Sequence, residues 1–147
     1  MQTQLKELKV VPTGNTFESV KIMSSKNAET VIRQFYFEDI DIYESCFILL
    51  LNRANRTVGY AKISQGGVAC TVVDTKIIMK YAVDTLASAI ILAHNHPSGE
   101  LRPSAEDKHL TNRVAEAAKI LEVTLMDHII ITSDGYTSMA DEGLINV

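Results

Sequence analysis

The chain has 147 residues, 46% of them hydrophobic and 22% charged, with a formal net charge of −4. That length suits one domain able to bury a real core without staples, and the composition is ordinary for a soluble globular protein. The 14 basic residues are scattered from Lys6 to Lys119, without the stripe a nucleic-acid binder usually shows, and no apolar run approaches the roughly 20 residues of a membrane span.

Residues 1–23 read as an N-terminal arm or edge strand broken by Pro12 and Gly14, and residues 24–147 as a single domain. From Ser24 to Asp39, Ala28, Val31, Ile32, Phe35 and Tyr36 recur at helical spacing. Glu44 to Leu51 reads as a buried strand, Asn52 to Arg56 as a polar loop, and Val58 to Ser64 as the returning strand of a hairpin ended by Gly66-Gly67. Asp74 or Thr75 caps a helix with Ile77, Ile78, Tyr81, Ala82 and Leu86 on one face. Ile90 to Ala93 is short, uncharged and rich in β-branched residues, so it reads as a buried central strand running into His94. Ser104 opens a longer helix with Leu110, Val114, Ala117, Ala118 and Leu121 as its stripe. Val123 to Met126 and Ile129 to Ile131 are strand-like, and Asp134-Gly135 turns the chain into a last strand near Tyr136 to Met139. Helices alternate with strands around an embedded hairpin, which predicts an α/β fold: a mixed sheet flanked by helices on both faces. Cys46 and Cys70 sit in apolar surroundings and read as buried free thiols. With no signal-peptide pattern, that suits a reducing cytoplasm.

His94-Asn95-His96-Pro97, followed by Ser104 and Asp107, is the most informative segment. Two imidazoles one residue apart point the same way on an extended chain, and Pro97 stops the ladder just beyond them. Zinc in a hydrolytic site takes three protein ligands and leaves a fourth position for water. His94 and His96 offer two nitrogens, and Asp107 offers an oxygen if residues 98–103 fold back. The plainer alternative is two polar residues at a strand end, hydrogen-bonded or solvated. Ser104 and Asp107 also read as a helix capping box, and one residue can cap while presenting an oxygen to a metal. Glu44 enters an apolar strand on the face of Cys46, Ile48 and Leu50. It either reaches solvent or, if that strand neighbours the His94 strand, stands near attacking water as a general base.

Other residues carry weaker signals. His109 reads as a surface residue, and His128 as a structural histidine rather than a spare ligand. Glu100 and Glu106 have no distinguishing spacing, and Arg102 meets a substrate carboxylate or solvent. Nothing places a base or positive charge beside Cys46, so it is not read as a nucleophile. The His-x-Glu and Pro-Cys-x-x-Cys signature of zinc deaminases and the His-Glu-x-x-His of helical zincins are both absent.

The ordered set Glu44 … His94-x-His96-Pro97-x6-Ser104-x2-Asp107 resembles the JAMM (MPN+) metalloprotease motif without gap or substitution. His94 to Gly99, Gly66-Gly67, Asp127 to Ile130 and Asp134 to Tyr136 resemble the bacterial RadC branch of that family, over roughly residues 24 to 145. The resemblance implies a JAB/MPN fold of deaminase-like architecture, Zn2+ held by His94, His96 and Asp107, Glu44 activating the attacking water, and Ser104 holding the oxyanion. It also implies that Glu44 lies next to the histidines. The substrate class implied is a peptide or protein, cleaved at a peptide or isopeptide bond. RadC proteins are traditionally described as DNA-repair proteins and often carry an N-terminal helix-hairpin-helix-like segment, for which this sequence leaves no space. The alternative reading is therefore a DNA-repair-associated accessory protein with a structural or vestigial metal site; the negative charge does not support nucleic-acid binding. A metal-stabilised interaction domain without turnover is a third. The presence of both Glu44 and Ser104 favours the hydrolase.

Overall fold

Ser24 starts the first helix: its hydroxyl accepts the Asn27 backbone N–H at 3.1 Å, and α1 runs Ser25–Arg33. The computed structural model describes residues 4–5, 7–9, 11–14, 16–36, 39–67 and 72–145. Cys70 and part of the expected arm lie outside that set. Helix α1 is shorter than its apolar pattern predicts. Beyond Arg33 the backbone tightens to Phe35 N–H donating to Ile32 O and Tyr36 N–H to Arg33 O. The tighter turns keep Phe35 and Tyr36 buried after the α-helix has ended.

The remaining elements follow in the expected order: β1 (Ser45–Leu51), β2 (Thr57–Gln65), α2 (Thr75–Asp84), β3 (Ala89–Asn95), α3 (Ala105–Ile120), β4 (Thr124–Ile131) and β5 (Tyr136–Ser138). They build one five-stranded mixed sheet in the order β2-β1-β3-β4-β5, with β3 and β4 parallel and the other neighbours antiparallel. β1 and β3 are buried along their whole lengths, as central strands covered on both faces must be. Alternation sorts their side chains into two cores. Leu49, Leu51, Ile91 and Ala93 pack with α1, and Ile48, Leu50, Ile90 and Leu92 pack with α2 and α3. This is the architecture expected from an embedded hairpin in an alternating chain, and it is consistent with a JAB/MPN fold.

Three side chains depart from the predicted apolar faces. Leu86 is 85% exposed and Leu121 45%, while Ile77 is 40% exposed. Leu86 sits at φ +52° just past α2, and Glu122 at φ +58° just past α3. In that left-handed conformation, the next residues, Ala87 and Val123, turn back and donate to Ala82 O and Ala118 O. Ala87 and Val123 take the buried places that the leucines leave. β4 also runs unbroken through Asp127-His128, which the apolar pattern divides in two.

Glu29 holds Arg33, which ties α1 to the chain just beyond β4. It is 3% exposed, and its carboxylate receives Lys26 Nζ at 2.9 Å and Arg33 Nε, while Arg33 Nη1 donates to Thr132 O at 2.9 Å. Burial works against the charge, but the Lys26 and Arg33 hydrogen bonds outweigh it and hold the carboxyl below its ordinary pKa. Stability from such a group is present above its unfolded pKa and is lost as pH falls through the lower folded value. Glu29→Gln is therefore expected to destabilise the fold by about 1.5–3 kcal/mol at pH 7, the range for hydrogen bonds to charged groups. The gap to wild type should close in denaturant melts below about pH 4. An equal gap at both pH values would remove the ion pairs from the explanation.

Candidate metal centre

The site forms where β3 leaves the core, and the sheet register brings its parts together. Cys46 on β1 pairs with His94 on β3, so Glu44, two residues before Cys46, lies beside the histidines. Asn95 locks this arrangement. Fully buried between the two histidines and facing the opposite side of the sheet, it accepts the Ser45 N–H at 2.8 Å and donates to the Ile40 and Tyr43 carbonyls at 2.7 Å. The loop that carries Glu44 is thus tied to the strand that carries His94.

Ser104 caps α3 and closes the other wall. Its hydroxyl oxygen accepts the Asp107 N–H at 3.0 Å, and Asp107 Oδ2 accepts the Ser104 N–H at 2.7 Å, a complete capping box. The cap does not turn the Asp107 carboxylate away from the histidines. Oδ1 stands 3.0 Å from His94 Nε2, and Oδ2 3.4 Å from His96 Nε2. The two Nε2 atoms are 2.8 Å apart, and Glu44 Oε1 is 3.9 Å from His94 Nε2. Glu44, His94 and His96 each offer one ligand atom, all within 4.8 Å of one another.

The chemistry of this donor set calls for a cation. His96 Nδ1 lies 2.6 Å from the Glu100 carbonyl, which can only accept, so Nδ1 carries the hydrogen and a neutral His96 presents a bare Nε2. That lone pair faces another ring nitrogen and a carboxylate. Acceptors this close repel unless a proton or a metal ion lies among them. Donors around a tetrahedral ion with bonds of about 2.0–2.1 Å stand about 3.3 Å apart. A small outward movement of these side chains meets that spacing, so the residues fit a metal.

The local field agrees. Burial opposes the Asp107 charge, yet the hydrogen bonds with His94 and His96 prevail and hold its carboxyl far below the usual carboxylate range. The Asp107 hydrogen bond raises the His96 pKa, against the effect of burial. Glu44 is shifted upward, chiefly by burial, with the His94 and His96 charges opposing. Burial pushes the Cys46 thiol up to about 12, which leaves it inert beside the site.

Glu44, His94, His96, Ser104 and Asp107 all line one cleft of about 940 Å³. Arg102, His109 and Arg113 line it as well, so the surface histidine of the sequence reading borders the site. His128 is fully buried behind His94, with its Nε2 2.7 Å from His94 Nδ1 and its Nδ1 2.6 Å from the Thr111 hydroxyl. Burial lowers its pKa well below the ordinary value, so the ring is neutral, as a structural histidine should be. Sequence reasoning missed Asn95 and Thr111. Asn95 carried a signal, a polar side chain at the end of an otherwise apolar strand and out of phase with the histidines. Thr111 carried only its position one turn after Asp107.

A model of the RadC-like JAB domain matches residues 22–144. The chain is 42% identical to a UPF0758 protein of Flavobacterium johnsoniae over 124 residues, 84% of this chain and 53% of that one. It is 52% identical to a UPF0758 protein of Porphyromonas gingivalis over 103 residues, 69% of this chain and 45% of that one. The chain thus spans about half the length of the curated relatives it matches. No helix among the described residues is long and apolar enough to cross a membrane.

Proposed function

The chain belongs to the RadC-like JAB domain family, and from that membership and the geometry of its cluster we propose that it is a zinc-dependent hydrolase of peptide or isopeptide bonds. The observation that carries this reading is the meeting of the His94 and His96 Nε2 atoms, 2.8 Å apart, with the one Asp107 carboxylate at 3.0 and 3.4 Å. Those three residues would hold the ion; two imidazoles and a carboxylate suit catalytic zinc. When bound, the ion supplies Lewis acidity, which brings the ionisation of water near pH 7 and polarises a substrate carbonyl.

The protein's own groups then divide the proton work. Glu44, farther from His94 Nε2 than Asp107 is, takes a proton from the attacking water. As the water oxygen bonds to the amide carbon, the carbonyl electron pair moves onto its oxygen. When the C–N bond breaks, Glu44 returns the proton to the leaving nitrogen. Burial raises the Glu44 pKa, which suits a group that must hold that proton between the two steps. The Ser104 oxygen is an acceptor in the helix cap, so its hydroxyl hydrogen is free to donate to the developing oxyanion. A purely structural metal site needs neither a carboxylate set back from the ligands nor a spare hydroxyl, and both features favour turnover.

The direct test loads the chain with zinc and offers it linear peptides and isopeptide-linked conjugates. Cleavage abolished by a chelator and restored by zinc is the expected result; cleavage indifferent to the chelator would contradict it. Ser104→Ala is expected to lower kcat roughly 10²- to 10³-fold, the cost of one oxyanion donor, with zinc still bound. It should also cost about 1 kcal/mol of stability through the lost cap. Unchanged turnover in that variant would take Ser104 out of the reaction.

A further inference from the structure

His94 makes contacts through both ring nitrogens, and the one turned away from the cleft leads into a buried chain of groups that the proposed reaction does not use. From His94 Nδ1 the chain runs 2.7 Å to His128 Nε2, then from His128 Nδ1 2.6 Å to Thr111 Oγ1, and from Thr111 Oγ1 2.7 Å to the Asp107 backbone carbonyl. His94 is 4% exposed, His128 is fully buried and Thr111 is 1% exposed, so solvent does not enter this line.

Each of these three short contacts needs one hydrogen, and the chain settles where each hydrogen lies. The Asp107 carbonyl has none to give, so the Thr111 hydroxyl hydrogen must lie on that contact. The thioether of Met139, 3.5 Å from the same hydroxyl, is a weaker and more distant acceptor. With its hydrogen committed, Thr111 Oγ1 can only accept from His128, so His128 carries its hydrogen on Nδ1. A neutral His128 is then bare at Nε2 and must accept from His94. A hydrogen therefore lies on His94 Nδ1, whichever proton or cation lies between Nε2 and its own close neighbours His96 and Asp107.

We propose that Thr111 and His128 act as positioning residues, a hydrogen-bond relay that holds a hydrogen on His94 Nδ1 and so reserves Nε2, which faces His96 and Asp107, for the cation. The relay deepens the metal reading given above and rests on it for its purpose, though not for its geometry. It also links the two halves of the site. Thr111 bonds the backbone of Asp107, the residue whose side chain faces His94, so one hydroxyl on α3 sets both a ligand's tautomer and the first turn that carries the carboxylate. Outer partners that orient metal-bound histidines typically change metal affinity by about 10- to 100-fold.

The test uses the whole chain, metal-free and at pH 8, with ring-nitrogen NMR shifts of His94 read before any zinc is added. Wild type is expected to show Nδ1 protonated. Thr111→Val keeps the shape but removes the acceptor, freeing His128 to place its hydrogen on Nε2. His94 should then shift towards its Nε2–H form, and zinc affinity measured by chelator competition should fall about 10- to 100-fold. Thr111→Ser restores the hydroxyl and should bring back both the tautomer and the affinity. A metal-free wild type with a bare His94 Nδ1 overturns the relay, whatever the variants do. So does a Thr111→Val protein with an unchanged His94 tautomer and an affinity within twofold of wild type. If instead wild type shows the expected tautomer but takes up no zinc, the relay stands and the metal reading falls.

Discussion

Glu44→Gln is expected to bind zinc within a few-fold of wild type while its turnover falls roughly 10²- to 10⁴-fold, the range for a lost general acid–base group. The expectation rests on where the carboxylate stands. Asp107 Oδ1 is 3.0 Å from His94 Nε2, whereas Glu44 Oε1 is 3.9 Å away, so in the same cluster Asp107 is the nearer acid. Glutamine preserves the shape of Glu44 and its backbone bonds with Gly66 and Gly67, but it cannot accept a proton. Parallel loss of zinc and turnover would instead make Glu44 a ligand, in keeping with its place among the three groups that share one 4.8 Å neighbourhood.

Asp107→Asn is expected to weaken zinc binding by more than about 100-fold, beyond the usual effect of an outer-shell partner. The substitution separates the two duties of Asp107. An asparagine oxygen can still accept the Ser104 N–H, so the α3 cap and the helical circular dichroism signal should persist. What disappears is the negative charge facing His94 and His96, the same charge that raises the His96 pKa. Retained zinc affinity together with an intact helix would assign Asp107 to capping alone.

Much of this centre is legible in the sequence because it rests on local rules. The β1–β2 hairpin and β3 are short apolar runs between turn signals, and the α3 start is a serine–aspartate capping box that the structure contains in full. The types and order of His94, His96, Ser104 and Asp107 follow from the same segment. Glu44 is different. It lies fifty residues earlier, and only the long-range pairing of Cys46 with His94 brings it to the site. No periodicity in β1 specifies that register. Asn95, Thr111 and His128 are harder still, since their roles are hydrogen bonds to groups on other elements. Pattern reading also misplaces Leu86 and Leu121, because apolar spacing says nothing of the left-handed residues that end α2 and α3 and turn those side chains outward. It divides β4 at Asp127-His128 for a related reason. Both side chains are buried and hydrogen-bonded, so their polarity does not mark a loop.

Two imidazole nitrogens and one carboxylate are proposed to converge on a single cation. The most direct measurement is a zinc titration of the metal-free chain beside His96→Ala at pH 8, repeated at pH 5.5. One ion per wild-type chain is expected at pH 8, with weaker binding below about pH 6 where a proton competes for His96, and little binding by the variant at either pH. Equal uptake by both proteins, or none by wild type, would contradict that convergence.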